Sequence, residues 1–287
     1  MSKQSAANVT ASGLLHWTDK LIKAQEQYIT LTATGSKPPN VPSLTLVDQG
    51  EGQTPLRVPD TFMSIDKSNK LRIPFVQGKF NMGGTGALKF CGKEGLQLLI
   101  TRRNPAILEK WKKNEKWGSS DSRANQWSVT IVRRERPTEA AGAVRNSVYR
   151  YLAPVGSDSN SGKGQVLSFT AQSLPLMSVD NKAYAREIEF GTAIKLYEYD
   201  VKGFGSHITQ PDGLLSRIEL LLPEIALPVR LHECRACTGV ANAVQPKRCL
   251  WFPVCALVTK VSSGVARGWQ FQRALARWAQ TMLSIGY

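Results

Sequence analysis

After Glu233 this 287-residue chain contains no aspartate or glutamate, although Arg235, Lys247, Arg248, Lys260, Arg267, Arg273 and Arg277 follow. An acid-free stretch of that length, 234–287, is foreign to an ordinary solvated surface. Three accounts stand side by side. One is a basic amphipathic helix over Val265–Leu283, with Trp269, Leu275, Trp278 and Met282 on its apolar side, that binds nucleic acid or a membrane surface. The second is that these tryptophans are core, the commoner role of Trp on an apolar helix face. The third is a continuation out of frame, beginning near Arg235. Long apolar runs are scarce as well. The longest, Cys249–Val258, is too short to cross a bilayer and is interrupted by Pro253, so no membrane span is expected. The N-terminal Met1-Ser-Lys-Gln-Ser-Ala-Ala-Asn lacks the apolar core of a signal peptide. Five cysteines, an odd number, point to reduced thiols rather than a disulfide framework. Together these absences set the expectation of a cytoplasmic protein.

Histidine is rarer still. His16, His207 and His232 lie far apart and match no catalytic triad or Cys-His pattern. Cys234-Arg-Ala-Cys237 has the spacing of half a zinc site, and His232, Cys249 and Cys255 are near it in sequence. The second cysteine pair is spread out in an apolar run, which favours buried free thiols over a metal site.

What is present is a globular composition, 42% hydrophobic and 21% charged, carrying a net charge of +15. Such a charge invites an anionic partner, nucleic acid or polyphosphate. Trp111-Lys-Lys-Asn-Glu-Lys-Trp117 and Arg133-Arg-Glu-Arg136 concentrate part of it. A solvated helix face and a charge-protected strand edge explain these two segments better than nucleic-acid contact does.

Hydrophobic periodicity predicts an amphipathic helix over Leu14–Tyr28 and strands over Ile29–Thr34 and Ser43–Asp48. The polar, turn-rich segment Gln49–Gln77 reads as a mobile cover. A short helix over Gly84–Cys91 is followed by a buried strand at Leu96–Arg102, then a helix from Asn104 with Pro105 in its first turn. Strands are expected at Trp127–Arg133, Val148–Leu152, Gln165–Ala171, Glu187–Phe190 and Ala193–Tyr199. Gly156–Gly164 is a flexible loop by composition, Gly213–Leu222 a helix, and Pro228–Glu233 the last regular element.

Three fragments in this order carry chemistry. Asp48-Gln-Gly-Glu-Gly52 puts a carboxylate at a strand's C-terminal end, where α/β sheets commonly present ligand groups. An ionised carboxylate only accepts hydrogen bonds, so it takes adenine's exocyclic amino hydrogen and refuses guanine's carbonyl. Gly50 and Gly52 permit positive φ and the close approach of a flat base. Gly78-Lys-Phe-Asn-Met-Gly83-Gly84-Thr85-Gly86, at the mouth of the short helix, offers backbone N–H groups to phosphates, with Lys70 and Lys79 adding charge. Gly191-Thr192 opens a late strand. Each fragment alone is an ordinary turn; their order and context give them weight.

These fragments resemble the GHKL ATPases, the family of gyrase B, the large heat-shock chaperones, histidine kinases and MutL. The acidic box Asp-x-Gly-x-Gly stands here as Asp48, Gly50 and Gly52, the second glycine box as Gly78–Gly83, and the Gly-Thr pair as Gly191-Thr192. The resemblance covers roughly residues 14–200. It implies a two-layer α/β sandwich of helices on a mixed β-sheet, the Bergerat-type fold, with an inserted lobe. The implied division is 1–103 as the first part of the core, 104–186 as insertion, 187–233 as core completion and 234–287 as a basic extension. It further implies that Asp48 binds adenine, that Gly52 lines the base, that Gly78, Lys79, Phe80, Gly83, Gly84, Thr85 and Gly86 wrap the phosphates, and that Thr192 bonds near Asp48.

One element departs from the family. Its helix before the first box carries a general-base Glu and, one turn on, a Mg²⁺-binding Asn; Leu14–Tyr28 has Asp19 and Glu26 but no Glu-x-x-x-Asn. Either that helix is degenerate or the chain begins downstream of it. The expectation is therefore ATP binding that gates a conformational change, in a chaperone-like or DNA-processing and defence setting, with a protein partner and homo-oligomer formation in view. Hydrolysis, with Mg²⁺, is left open. The alternative from another class is a non-enzymatic, basic nucleic-acid-binding module.

Overall fold

The computed structural model describes residues 27–64, 82–113, 121–135, 147–154, 165–180, 182–200, 207–210, 212–221 and 229–235. Among them the chain is a mixed α/β protein built on an eight-stranded mixed sheet, with few helices. The strands are β1 (Ile29–Thr34), β2 (Ser43–Asp48), β3 (Leu96–Arg102), β4 (Trp127–Glu135), β5 (Val148–Tyr151), β6 (Leu167–Phe169), β7 (Leu174–Val179), β8 (Lys182–Ile188), β9 (Gly191–Leu196) and β10 (Arg230–Glu233). The helices are α1 (Val58–Thr61), α2 (Met82–Ala87), α3 (Pro105–Lys113) and α4 (Leu214–Leu221), and a 3-10 turn, Leu88–Phe90, continues α2.

The sheet order is β10-β1-β2-β9-β3-β4-β5, with β6 also paired to β4. Only β1 and β10 run parallel among these described strands; the other pairs are antiparallel. Because β9 is antiparallel to both β2 and β3, the C-terminal ends of β2 and β3 and the start of β9 share one end of the sheet. That end brings the Asp48 and Gly191-Thr192 fragments together.

Alternation along the strands assigns the faces. Leu31, Leu44, Leu46, Leu99, Ile194, Leu196 and Leu231 turn to one side, where Val58 of α1, Ala87 of α2, Leu88 and Leu214 of α4 join them in one buried cluster. Full burial of each such Leu or Ile contributes roughly 1.5–3 kcal/mol. On the other side Val47, Trp127 and Ala193 meet Met177 and Ile188 of the β7–β8 hairpin. Hydroxyl contacts fasten that hairpin: Thr32 Oγ1 donates to Ser178 Oγ at 2.8 Å, and Thr45 Oγ1 bonds Tyr184 OH at 2.8 Å.

Several expectations shift. The helix expected over Leu14–Tyr28 falls outside the described residues through Glu26, and Gln27 and Tyr28 precede β1 without helical structure. In the Gln49–Gln77 segment Gln53, Thr54 and Val58 are buried and α1 forms; 65–77 lie outside the described residues. The strand read at Glu187–Phe190 is the end of a longer one, Lys182–Ile188, and the next begins at Gly191. β7 had no counterpart in the sequence reading. The loop at 156–164 and the tail from 236 on also lie outside the described residues.

Candidate functional site

Asp48 ends β2 and pairs in register with Thr192 of β9; Thr192 pairs with Thr101 of β3, and Thr101 with Ser128 of β4. Directly opposed residues of antiparallel strands project to the same face. The result is a polar row, Asp48, Thr192, Thr101 and Ser128, crossing four strands at one end of the sheet. It lies on the face that carries α1 and the 3-10 turn, one step beyond the apolar rows of Leu46, Ile194 and Leu99. Thr101, Thr192 and Ser128 are buried, and Asp48 is half-buried.

The Asp48 carboxylate accepts the Gly50 N–H at Oδ1, 2.9 Å away. Burial pushes its pKa up to about 6, against the opposing pull of that hydrogen bond. The group is thus poised to change charge in mildly acidic solution.

Next to it the chain is locked by backbone contact. Gly52 has φ +60°, and a Cβ there would stand 1.8 Å from the Arg102 carbonyl oxygen. Gly191 has φ +125°, and its Cβ would stand 2.1 Å from the Asp48 carbonyl oxygen. Both glycines are thus required by protein packing against protein. For Gly52 the positive φ is as expected, and the Arg102 carbonyl on its Cβ side is a second reason for glycine there.

Two arginines hold the surrounding loops. Arg103 donates from Nη1 to the Gly52 carbonyl at 2.8 Å, pairs with Glu51 at 2.9 Å, and stacks over Trp111 of α3 with 4.3 Å to the ring centroid. Asn104 N–H donates to the Glu51 carbonyl at 2.8 Å, and Asn104 Oδ1 accepts Ala106 N–H, capping α3. Arg102 points to the opposite face and donates to the carbonyls of Asn125, Ala171, Gln172 and Glu189. From the sequence Thr101 and Arg102 read only as the end of the Leu96–Arg102 strand. Their roles depend on which loops the sheet brings near, and no local pattern signals that.

The second glycine box is described only in its last part. Gly83, Gly84 and Thr85 are half-buried in α2 and Gly86 is exposed, while Lys70, Gly78, Lys79 and Phe80 lie outside the described residues. Among the described residues, a Cβ at Gly84 or Gly86 would meet nothing within 4 Å, whereas one at Gly52 or Gly191 would clash with backbone.

At the far edge, His232 is wholly buried and its Nδ1–H donates to the Asp180 carbonyl at 2.7 Å, while burial lowers its pKa. Burial pushes the Cys234 thiol up to about 11. Among the described residues no group of three His, Cys, Asp or Glu is placed to hold a metal ion; Cys237, Cys249 and Cys255 lie outside them. Arg235 is integral to the fold: its Nε and Nη2 each reach a Glu233 carboxylate oxygen at 2.7 Å, and Nη1 reaches the Asn40 carbonyl at 3.0 Å. With Arg102, Arg103 and Arg235 committed internally, the net charge overstates the free basic surface. No helix among the described residues is long and apolar enough to cross a membrane.

The sequence matches no protein-family model, and no curated protein is similar to it.

Proposed function

We propose that this chain binds ATP at the Asp48 end of the sheet, in the manner of the GHKL-type sandwich its motifs resemble, and works as a nucleotide-gated switch. The observation that carries the reading is the register pairing of Asp48 with Thr192. Two fragments far apart in sequence, which the resemblance puts beside one another, lie opposite one another across β2 and β9. An ionised Asp48 would accept the adenine amino group, with Thr192 beside it.

Gly84 and Gly86 support the phosphate half of the reading. Glycine in a helix costs about 1 kcal/mol relative to alanine, and among the described residues neither a positive φ nor a neighbouring atom requires it at these positions. Close approach of a phosphate would supply the missing reason. A switch requires that ATP bind one conformation of the chain more tightly than another. The sequence lacks the Glu-x-x-x-Asn helix that would supply base and Mg²⁺ ligand, so binding is the core of the proposal.

Titration of a fluorescent ATP analogue into wild type and Asp48→Ala tests it. Saturable binding by wild type that weakens at least about tenfold in the variant is expected, one ordinary hydrogen bond to a charged group accounting for that factor. Equal binding by both, or by neither, would sink the assignment.

A further inference from the structure

Thr101 holds three hydrogen bonds on one hydroxyl, and counting protons fixes their direction. Gln53 N–H, a donor only, reaches Thr101 Oγ1 at 3.0 Å. The Gly191 carbonyl, an acceptor only, lies 3.0 Å from the same oxygen and takes the hydroxyl's single proton. The third contact is to Thr192 Oγ1 at 3.1 Å. With the Thr101 proton already committed, the proton in that bond comes from Thr192. The reverse assignment would set the lone pairs of Thr101 against the lone pairs of the Gly191 carbonyl. Thr101, Thr192 and Gln53 are all buried, so water does not compete for these directions.

Resting on the ATP-site reading above, we infer that Thr101 is a positioning residue for nucleotide selectivity: it fixes the Thr192 hydroxyl as an acceptor, so that Asp48 and Thr192 together present only acceptors. A ligand edge bearing an amino group satisfies such a pair. A ligand edge bearing a carbonyl at that place faces lone pairs on both sides, and a buried unpaired acceptor is unfavourable. Adenine is the purine with the amino group, and guanine and hypoxanthine carry the carbonyl. Carboxylate chemistry alone gives half of this discrimination; a hydroxyl free to rotate beside it would reverse its dipole for a carbonyl and erode the rest. Thr101 removes that freedom.

The test compares ATP and GTP affinities, by calorimetry at pH 8, for the full chain as wild type, Thr101→Ser and Thr101→Val. Serine keeps the hydroxyl and is expected to keep the wild-type ATP/GTP ratio. Valine keeps the shape but cannot accept the Thr192 proton, and the ratio is expected to fall about tenfold, the factor of one lost hydrogen bond. A ratio unchanged in Thr101→Val, or equal weakening of both nucleotides, would show a merely structural hydroxyl and overturn the inference while leaving the ATP site standing. Wild type that binds neither nucleotide overturns both. A second measurement needs no variant. On the wild-type chain, inosine triphosphate is expected to bind more weakly than purine riboside triphosphate, which has hydrogen in place of the carbonyl; equal or tighter binding of the inosine nucleotide would overturn the fixed-acceptor role.

Discussion

Gly52 lies so close to Arg102 that a Cβ at its position would overlap the Arg102 carbonyl oxygen, 1.8 Å away, and the partner is backbone at the end of a paired strand. The Asp48–Gly52 turn is therefore seated on β3 before any ligand is considered. Gly191 repeats the relationship from the other side, against the Asp48 carbonyl. The two contacts set the separation of β2, β3 and β9 at the end where Asp48 and Thr192 face each other.

Gly52→Ala is expected to destabilise the fold by at least ~2 kcal/mol, since it combines positive-φ strain with a clash against backbone that cannot swing away. Denaturant melts read it directly. A change below half that value would mean that the turn relaxes away from β3 without cost.

Asp48 makes stability and ligand binding respond to pH in opposite senses. Its folded pKa, about 6, is above the ordinary 3.8. Between those values the folded chain holds more protons than the unfolded one, so ligand-free stability is expected to fall as pH rises from about 4 to about 6. Nucleotide affinity is expected to rise through pH 6 as the carboxylate becomes an acceptor. Asp48→Asn flattens both profiles; denaturant midpoints and ATP titrations across that range check them, and an unchanged slope in the variant would assign the dependence elsewhere.

Arg235 neutralises a buried carboxylate. Arg235→Ala leaves Glu233 with the Ile208 N–H at 3.0 Å and the backbone N–H of residue 235 at 3.3 Å but without its two guanidinium bonds. Breaking a buried ion pair from one side costs roughly 3–5 kcal/mol, and thermal or denaturant unfolding of the variant should show a loss of that order. A neutral substitution would mean that β10 is not held by this pair.

Gly84→Ala and Gly86→Ala are expected to act in opposite directions on fold and ligand. Each should stabilise the ligand-free chain by ~0.5–1 kcal/mol, because alanine is the better helix former and its methyl meets open space. Each should weaken ATP binding if phosphates approach that surface. Stability gained with ATP affinity intact would remove the phosphate role from α2.

Local periodicity sufficed for most of the sheet. Ser43-Leu-Thr-Leu-Val-Asp48 is rich in apolar and β-branched residues and bounded by polar ones, and β2 has the bounds that this pattern predicts. Leu174-Pro-Leu-Met-Ser-Val179 does not alternate, carries Pro175, and forms its ladder with register shifts on both sides of Met177. A bulged strand moves side chains off the two-residue period, which is why β7 and most of β8 gave no readable signal. Among the glycines, the positive φ of Gly52 was legible, but the backbone carbonyls of Arg102 and Asp48 that crowd Gly52 and Gly191 were not, because they come from other strands.

By itself the sequence determined most of the strands of the large sheet, the positive φ of Gly52, and that one carboxylate sits at a strand end. These are local properties, set by side-chain period and by which residues tolerate positive φ. Only the tertiary structure decided that Thr192 stands opposite Asp48, that Thr101 spends its proton on Gly191, and that Arg235 belongs to the core. Those facts depend on strand order and register between segments far apart in the chain. A shift of one residue in either pairing would turn Thr192 or Thr101 to the other face, and no local pattern encodes that choice.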